Sequence, residues 1–178
     1  MTHLIVLPGN SPKNKTWGEL MLATYGARFD SSFMQTYDHW ESGESTIDFE
    51  REQSKLAAQV AALALDTEVI LFAKSAGSML AFLAISKKII TPTKCVFFGI
   101  PFDLATDSLF KDGWSVIDGF TIPAVAFHNQ FDPTAEYVFT RDILSVHAPH
   151  ITLVTLPESD HSYHNVALYT DTLNLFLG

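Results

Sequence analysis

The sequence predicts an α/β chain, a three-layer α/β/α sandwich in which helices cover both faces of a six-stranded parallel sheet. Six short apolar runs recur along the 178 residues. Most are continuously hydrophobic rather than alternating, which is how strands covered on both faces read. The stretches between them carry helical spacing or are irregular, and strand–helix alternation with right-handed crossovers closes into an open parallel sheet between two helical layers. No internal repeat, low-complexity tract or linker interrupts the pattern, so residues 1–178 read as a single domain, a length at which one core is sizeable.

The first strand is Leu4–Leu7, stopped at once by Pro8-Gly9. Trp17, Leu20, Met21 and Tyr25 then share one helical face. A second strand spans Phe33–Tyr37, and Phe49, Leu56, Val60 and Leu63 form the next helical face. Glu68–Ala73 is the third strand, followed with almost no connector by Ala76–Lys88, apolar nearly all round and therefore a buried central helix. Cys95–Ile100 and Ala124–His128 are the fourth and fifth strands, and Pro133 is placed to begin a helix after the fifth. Ile151–Leu156 is the sixth, and Val166, Tyr169, Leu173 and Phe176 mark a last helix with His164 expected on its first turn.

Charge and cysteine usage narrow the function classes. A formal charge of −9 repels phosphate backbones and anionic lipid, so neither nucleic acid nor a membrane is an expected partner. Cys95 is the single cysteine; it sits beside Val96, Phe97 and Phe98 and reads as a buried thiol, with no internal disulfide or cysteine metal cage available. Leu4–Leu7 is too short for the apolar core of a secretory signal, and no run approaches a membrane span. A cytoplasmic, reducing compartment is the expectation.

In an open parallel sheet, ligands gather beyond the carboxyl ends of the strands. The polar residues there are Asn10 and Ser11, Asp38 and His39, Lys74 and Ser75, Asp103, Asn129 and Asp132, and Asp160 and His161. Ser75 lies on the turn between the third strand and the buried helix. A serine on so sharp a turn adopts a strained backbone, and the residues two before and two after it must be small; Ala73 and Gly77 are. Its hydroxyl stands at the helix amino end, where backbone N–H groups favour a developing oxyanion, with Ala76 supplying one of them. The plainer role for Ser75 is a helix cap.

A serine hydroxyl becomes a useful nucleophile when a base takes its proton and a carboxylate orients that base. Two further strand ends supply both: Asp132 after the fifth strand and His161 after the sixth. Singly, Asp132 also reads as a helix cap and His161 as a loop residue; together with Ser75 they compose a triad. Asp160 is poorly placed to reach the far nitrogen of its neighbour His161, Asp103 is the understudy for the acid, and His164 is the second choice for the base. Trp40 or His39 is positioned to wall a substrate pocket; the alternative is that Trp40 packs over the rim while Asp38 and His39 are solvated, which is the favoured reading for that charged pair. His161 and His164 lack the helical i,i+4 register and third ligand of a metal site. Leu7-Pro8-Gly9-Asn10-Ser11-Pro12-Lys13 lacks the second glycine and Gly-Lys-Ser/Thr ending of a phosphate loop, so neither metal nor nucleotide cofactor is expected. Lys74 is adjacent to the serine, not three residues on, so a Ser-x-x-Lys mechanism does not fit.

Leu7-Pro8-Gly9-Asn10, Ala73-Lys74-Ser75-Ala76-Gly77, Asn129-Gln130-Phe131-Asp132-Pro133 and Ser159-Asp160-His161-Ser162 together resemble the α/β-hydrolase superfamily, from about Leu4 to the C-terminus. The chain is similar to its compact, lid-poor serine hydrolases and esterases. The resemblance implies the sheet order 2-1-3-4-5-6 and the triad order Ser75, Asp132, His161. It further implies a second oxyanion N–H from the Gly9–Ser11 loop, at Asn10, and a substrate pocket involving Gly9, Ser11, Lys74 and Trp40. The only room for a cap is the short segment Phe102–Ile122. Ala73 stands where glycine is usual and Lys74 where histidine is frequent, departures that bear on efficiency and substrate preference more than on fold. The expected function is cleavage of a small-molecule acyl ester, thioester or amide through an acyl-serine intermediate. The alternative is a non-catalytic binding domain that holds a peptide or protein partner at the rim around Trp40.

Overall fold

Six strands, β1 (Thr2–Leu7), β2 (Ser31–Met34), β3 (Glu68–Lys74), β4 (Lys94–Phe98), β5 (Ala124–Asn129) and β6 (Thr152–Leu156), form one sheet in the order β2-β1-β3-β4-β5-β6 in the computed structural model. Every neighbouring pair is parallel. The structure describes residues 1–105, 109–110 and 113–178. The expected sheet order and strand direction hold.

Side-chain alternation divides the core into two. Leu4 and Val6 of β1 and Ile70 and Phe72 of β3 face one side, where they bury Trp17, Met21 and Tyr25 of α1 (Asn14–Tyr25) and Leu173 of α7 (Thr170–Leu177). Ile5, Leu7, Val69, Leu71 and Ala73 face the other, against Leu56 of α3 (Phe49–Ala61), the length of α4 (Ala76–Ser86), Ile117 of α5 (Ser115–Asp118) and Leu144 of α6 (Tyr137–His147). Because α4 lies against the sheet inside this second layer, its residues Gly77 through Ala84 are all buried, which explains the lack of any polar stripe. Among the described residues, no helix is long and apolar enough to cross a membrane.

Several boundaries differ from the sequence expectation, and three of the differences bear on the rim. β2 runs Ser31–Met34 rather than Phe33–Tyr37. Gln35 still donates its backbone N–H to Val6, but its side chain turns to Glu52 and the Tyr37 hydroxyl turns under the β1 loop, so the ladder ends. Helix α6 begins at Tyr137, not Pro133, because Asp132 takes the Thr134 and Ala135 N–H groups and makes a turn there instead. His164 precedes a 3-10 turn at Val166–Leu168, and the last α-helix begins only at Thr170, so His164 is a loop residue. A short helix α2 (His39–Ser42), which periodicity did not announce, follows β2. The cap segment Phe102–Ile122 lies partly outside the described residues; within it stand a 3-10 turn at Phe102–Leu104 and α5.

Candidate active site

Ser75 occupies a backbone conformation that serine rarely adopts, with φ 52° and ψ −123°. Such a residue costs roughly 1–3 kcal/mol and persists when its surroundings hold it. Here the Ser75 N–H donates to the Phe98 carbonyl at 2.9 Å and its own carbonyl accepts from Ser78 N–H at 2.8 Å, which pins it between β4 and the first turn of α4. The Ser75 side chain makes no capping hydrogen bond, so the strain is not explained by a cap. The Ala76 N–H belongs to the first turn of α4, whose donors have no intrahelical acceptor.

Gly77 shows why a small residue is needed two positions on. A Cβ there would stand 2.1 Å from the Leu7 carbonyl oxygen and 2.5 Å from that of Pro8, both backbone atoms. The absence of a side chain lets the β1 loop close on the serine turn. Gly77→Ala is expected to lower folding stability by about 1–3 kcal/mol, as overpacking does; an unchanged denaturation midpoint would show that the loop yields freely.

The structure brings Asp132 and His161 together. His161 Nδ1 lies 2.9 Å from Oδ1 and 2.7 Å from Oδ2 of Asp132. A carboxylate only accepts, so Nδ1 carries the proton and Nε2 presents the lone pair. The same carboxylate accepts from the Thr134 and Ala135 N–H groups and from the Tyr163 hydroxyl at 2.8 Å. Burial pushes the Asp132 carboxyl up, but the His161 hydrogen bond and charge, with the Thr134 N–H and the Tyr163 hydroxyl, outweigh it and hold it below the ordinary value. The turn at Thr134–Ala135 and the clasp on His161 are thus two uses of one carboxylate.

Tyr163 is a residue the sequence reading missed. Its hydroxyl donates to Asp132 and accepts from the Asn129 N–H, its ring packs on Gly99, and its own φ is +54°. Burial, then the Asp132 charge, push its phenol far above the ordinary value, so it stays a donor. A tyrosine two residues after a histidine carries no sequence signal by itself. Tyr163→Phe is expected to cost about 1–3 kcal/mol of stability by stranding the buried Asn129 N–H and one Asp132 contact; thermal melting of the variant tests this. Asn129 adds a tie from its side-chain amide to the Asp160 carbonyl at 2.8 Å, which fixes the His161 loop to the end of β5. Asp160 itself accepts from the backbone and hydroxyl of Ser162, and His164 Nε2 approaches the Thr16 hydroxyl at 3.4 Å. Neither is hydrogen-bonded to His161 among the described residues, and Asp103 is exposed.

Ser75 reaches this cluster through shared backbone. Phe98 accepts its N–H, and the next residue, Gly99, carries the Tyr163 ring that binds Asp132. His161 is only 17% exposed at its side chain, and its Nε2 is buried without a hydrogen-bond partner among the described residues. No hydrogen bond therefore joins Ser75 to His161 here.

The loop after β1 places Gly9 buried, Asn10 half-buried and Ser11 exposed. The Asn10 side chain accepts from Ile47 N–H at 2.8 Å and donates to the Ser45 carbonyl at 3.3 Å. Trp40, expected as a pocket wall or as packing over the rim, spends its indole N–H on the Asn10 carbonyl at 2.7 Å, and His39, expected to be solvated, is instead buried because its ring turns in to the same carbonyl. Beside these contacts Glu44, Ser45, Thr46, Ile47, Asp48 and Arg51 line an open depression of about 450 Å³.

Lys74 continues the row of Ile70 and Phe72 toward α1, is 2% exposed, and donates from Nζ to Asn14 Oδ1. Burial pushes its ammonium down to about 8, with Asp132 and Asp160 pulling the other way. In the unfolded chain the value is 10.5, so between about pH 8 and 10.5 the unfolded state binds more protons and folding stability rises with pH. Lys74→Met should remove that gain; parallel stability curves for the two proteins across this window would contradict it.

No protein-family model matches the sequence, and no curated protein is significantly similar to it. Solved structures do match in shape. Est1E from Butyrivibrio proteoclasticus, determined with ferulic acid bound, superposes with a TM-score of 0.74 at 14% identity over 99% of this chain and 87% of that one. An α/β serine hydrolase without a lid from Xanthomonas campestris gives 0.72 at 15% identity over 98% and 78%. Mouse α/β-hydrolase domain-containing protein 10 gives 0.72 at 12% identity over 98% and 89%. The chain has the α/β-hydrolase fold.

Proposed function

We propose that this chain is a serine hydrolase that cleaves a small acyl ester, with thioester or amide as related substrates, through an acyl-Ser75 intermediate. The observation that carries the reading is the orientation of His161. Its Nδ1–H is committed to Asp132, and its buried Nε2 is unpartnered, on the same rim as a serine held at φ 52°. The lidless serine hydrolase among the neighbours in shape supports the same class.

In the proposed cycle Nε2 accepts the Ser75 proton as Oγ bonds to the substrate carbonyl carbon. The carbonyl oxygen takes the negative charge and is met by the Ala76 and Asn10 N–H groups, and Asp132 stabilises the imidazolium. The imidazolium returns its proton to the departing alkoxide as the ester bond breaks. Water then attacks the acyl-serine by the same path, giving acid and free Ser75. The missing Ser75–His161 bond is compatible with this, since catalytic hydrogen bonds are often long until substrate binds.

The test is labelling with a fluorophosphonate and mass-spectrometric mapping. One stoichiometric adduct on Ser75 is expected. An unmodified protein, as a non-catalytic binding domain would give, or an adduct on another residue, would refute the proposal.

A further inference from the structure

We propose that His39 and Trp40 are positioning residues for oxyanion stabilisation, together locking the Gly9–Asn10–Ser11 backbone by donating to a single carbonyl; this rests on the function proposed above. His39 Nε2 lies 2.6 Å from the Asn10 carbonyl oxygen and Trp40 Nε1 lies 2.7 Å from it. A carbonyl only accepts, so both nitrogens are donors and His39 carries its proton on Nε2. Two residues before the pair, the Tyr37 hydroxyl donates to the Pro8 carbonyl at 2.7 Å. Three side chains from four consecutive residues therefore hold the carbonyls on either side of the Gly9–Asn10 peptide.

The consequence follows from peptide planarity. Fixing a carbonyl fixes the whole plane it belongs to, so the planes Pro8–Gly9 and Asn10–Ser11 are both set. The plane between them carries the Asn10 N–H. Without those anchors it would be the easiest in the loop to flip, because glycine tolerates nearly every backbone angle. The opposite side of the loop is closed by Gly77, against which the Leu7 and Pro8 carbonyls lie too near for any side chain. The Asn10 side chain, through Ile47 and Ser45, fixes a third direction.

The donors are themselves held. Glu52 of α3, almost wholly buried, accepts the Asp38 N–H at 2.8 Å and the Gln35 amide at 2.7 Å, which fixes where the chain turns after β2. The His39 ring stacks on Tyr37 at 5.8 Å, and Trp40 meets Tyr37 edge-on at 5.0 Å. An aromatic cluster with Tyr37 and His39 buried, Trp40 half-buried and all three polar tips on one loop is a rigid support for an oxyanion hole, whose donors contribute most when they need no reorganisation.

Two donors on one acceptor make a specific prediction for hydrolysis of p-nitrophenyl acetate. Trp40→Phe alone, or His39→Leu alone, leaves one donor and should lower kcat less than about fivefold, whereas the double variant should lose about 100-fold, approaching the loss of one oxyanion donor. KM should move less than about twofold, because the loop acts on the transition state rather than on substrate binding. His39→Gln, whose amide nitrogen can reach the same carbonyl, should restore most of the activity of His39→Leu in the Trp40→Phe background, which a merely structural role would not require. Fluorophosphonate labelling rates should fall in parallel with kcat. Wild-type protein that fails to label overturns the proposed function and this inference with it. Wild type and double variant labelling Ser75 at equal rates, a loss confined to KM, or a glutamine variant no better than leucine, each overturns this inference alone.

Discussion

Ser75→Ala is expected to abolish fluorophosphonate labelling and to lower ester kcat/KM by about four to six orders of magnitude, the scale on which nucleophile removal acts in triad enzymes. The remaining activity would come from the oxyanion donors and binding alone, which the substitution leaves in place. The fold should tolerate the change, because the Ser75 hydroxyl makes no capping bond and the backbone contacts to Phe98 and Ser78 do not depend on it. Alanine must still adopt φ 52°, so a modest loss of melting temperature is expected. A folded variant that keeps wild-type esterase activity would remove Ser75 from the mechanism.

Asp132→Asn should lower kcat by about 10⁴-fold, the effect of presenting a histidine base in the wrong tautomer. The geometry here makes the expectation firm. Asp132 accepts from His161 Nδ1, two backbone N–H groups and the Tyr163 hydroxyl. An asparagine offers one acceptor oxygen and one donor group to these donors. If the oxygen keeps the Thr134–Ala135 turn, the amide N–H meets His161 Nδ1, drives the proton to Nε2 and removes the base. The variant should therefore melt below the wild-type protein, because the amide N–H replaces the oxygen that accepts the Tyr163 hydroxyl, yet stay folded and label slowly with fluorophosphonate. Labelling at the wild-type rate would place the orienting acid elsewhere, with Asp160 or Asp103 the first to substitute.

The architecture was legible because two-sided burial writes continuous apolar runs. Leu4–Leu7, Glu68–Ala73 and Cys95–Ile100 admit little but central parallel strands, and an α4 that is apolar nearly all round admits little but the buried layer. The polar residues that end those runs were legible for the same reason, since a chain leaving a buried sheet must become polar. Strand β2, an edge strand, was misread at its end because Gln35 and Tyr37, though buried, turn their side chains to Glu52 and the β1 loop instead of continuing the ladder. Tyr163 was missed, and the Trp40 bond went unforeseen, because their partners, the Asp132 carboxylate and the Asn10 carbonyl, are 31 and 30 residues away. A hydrogen bond to a distant group leaves no periodic trace.

By itself, then, the order of amino acids determined the sheet, its helical layers and which rim residues carry reactive groups, because burial is an average property that each segment expresses locally. Tertiary structure alone decided how those groups are used. It gave Asp132 both to a turn and to His161, and it sent Lys74 beneath the sheet to Asn14. It also turned the aromatic residues after β2 into supports for the loop they face. Each of those outcomes depends on distances of a few ångströms between remote segments, and only the packed chain sets them.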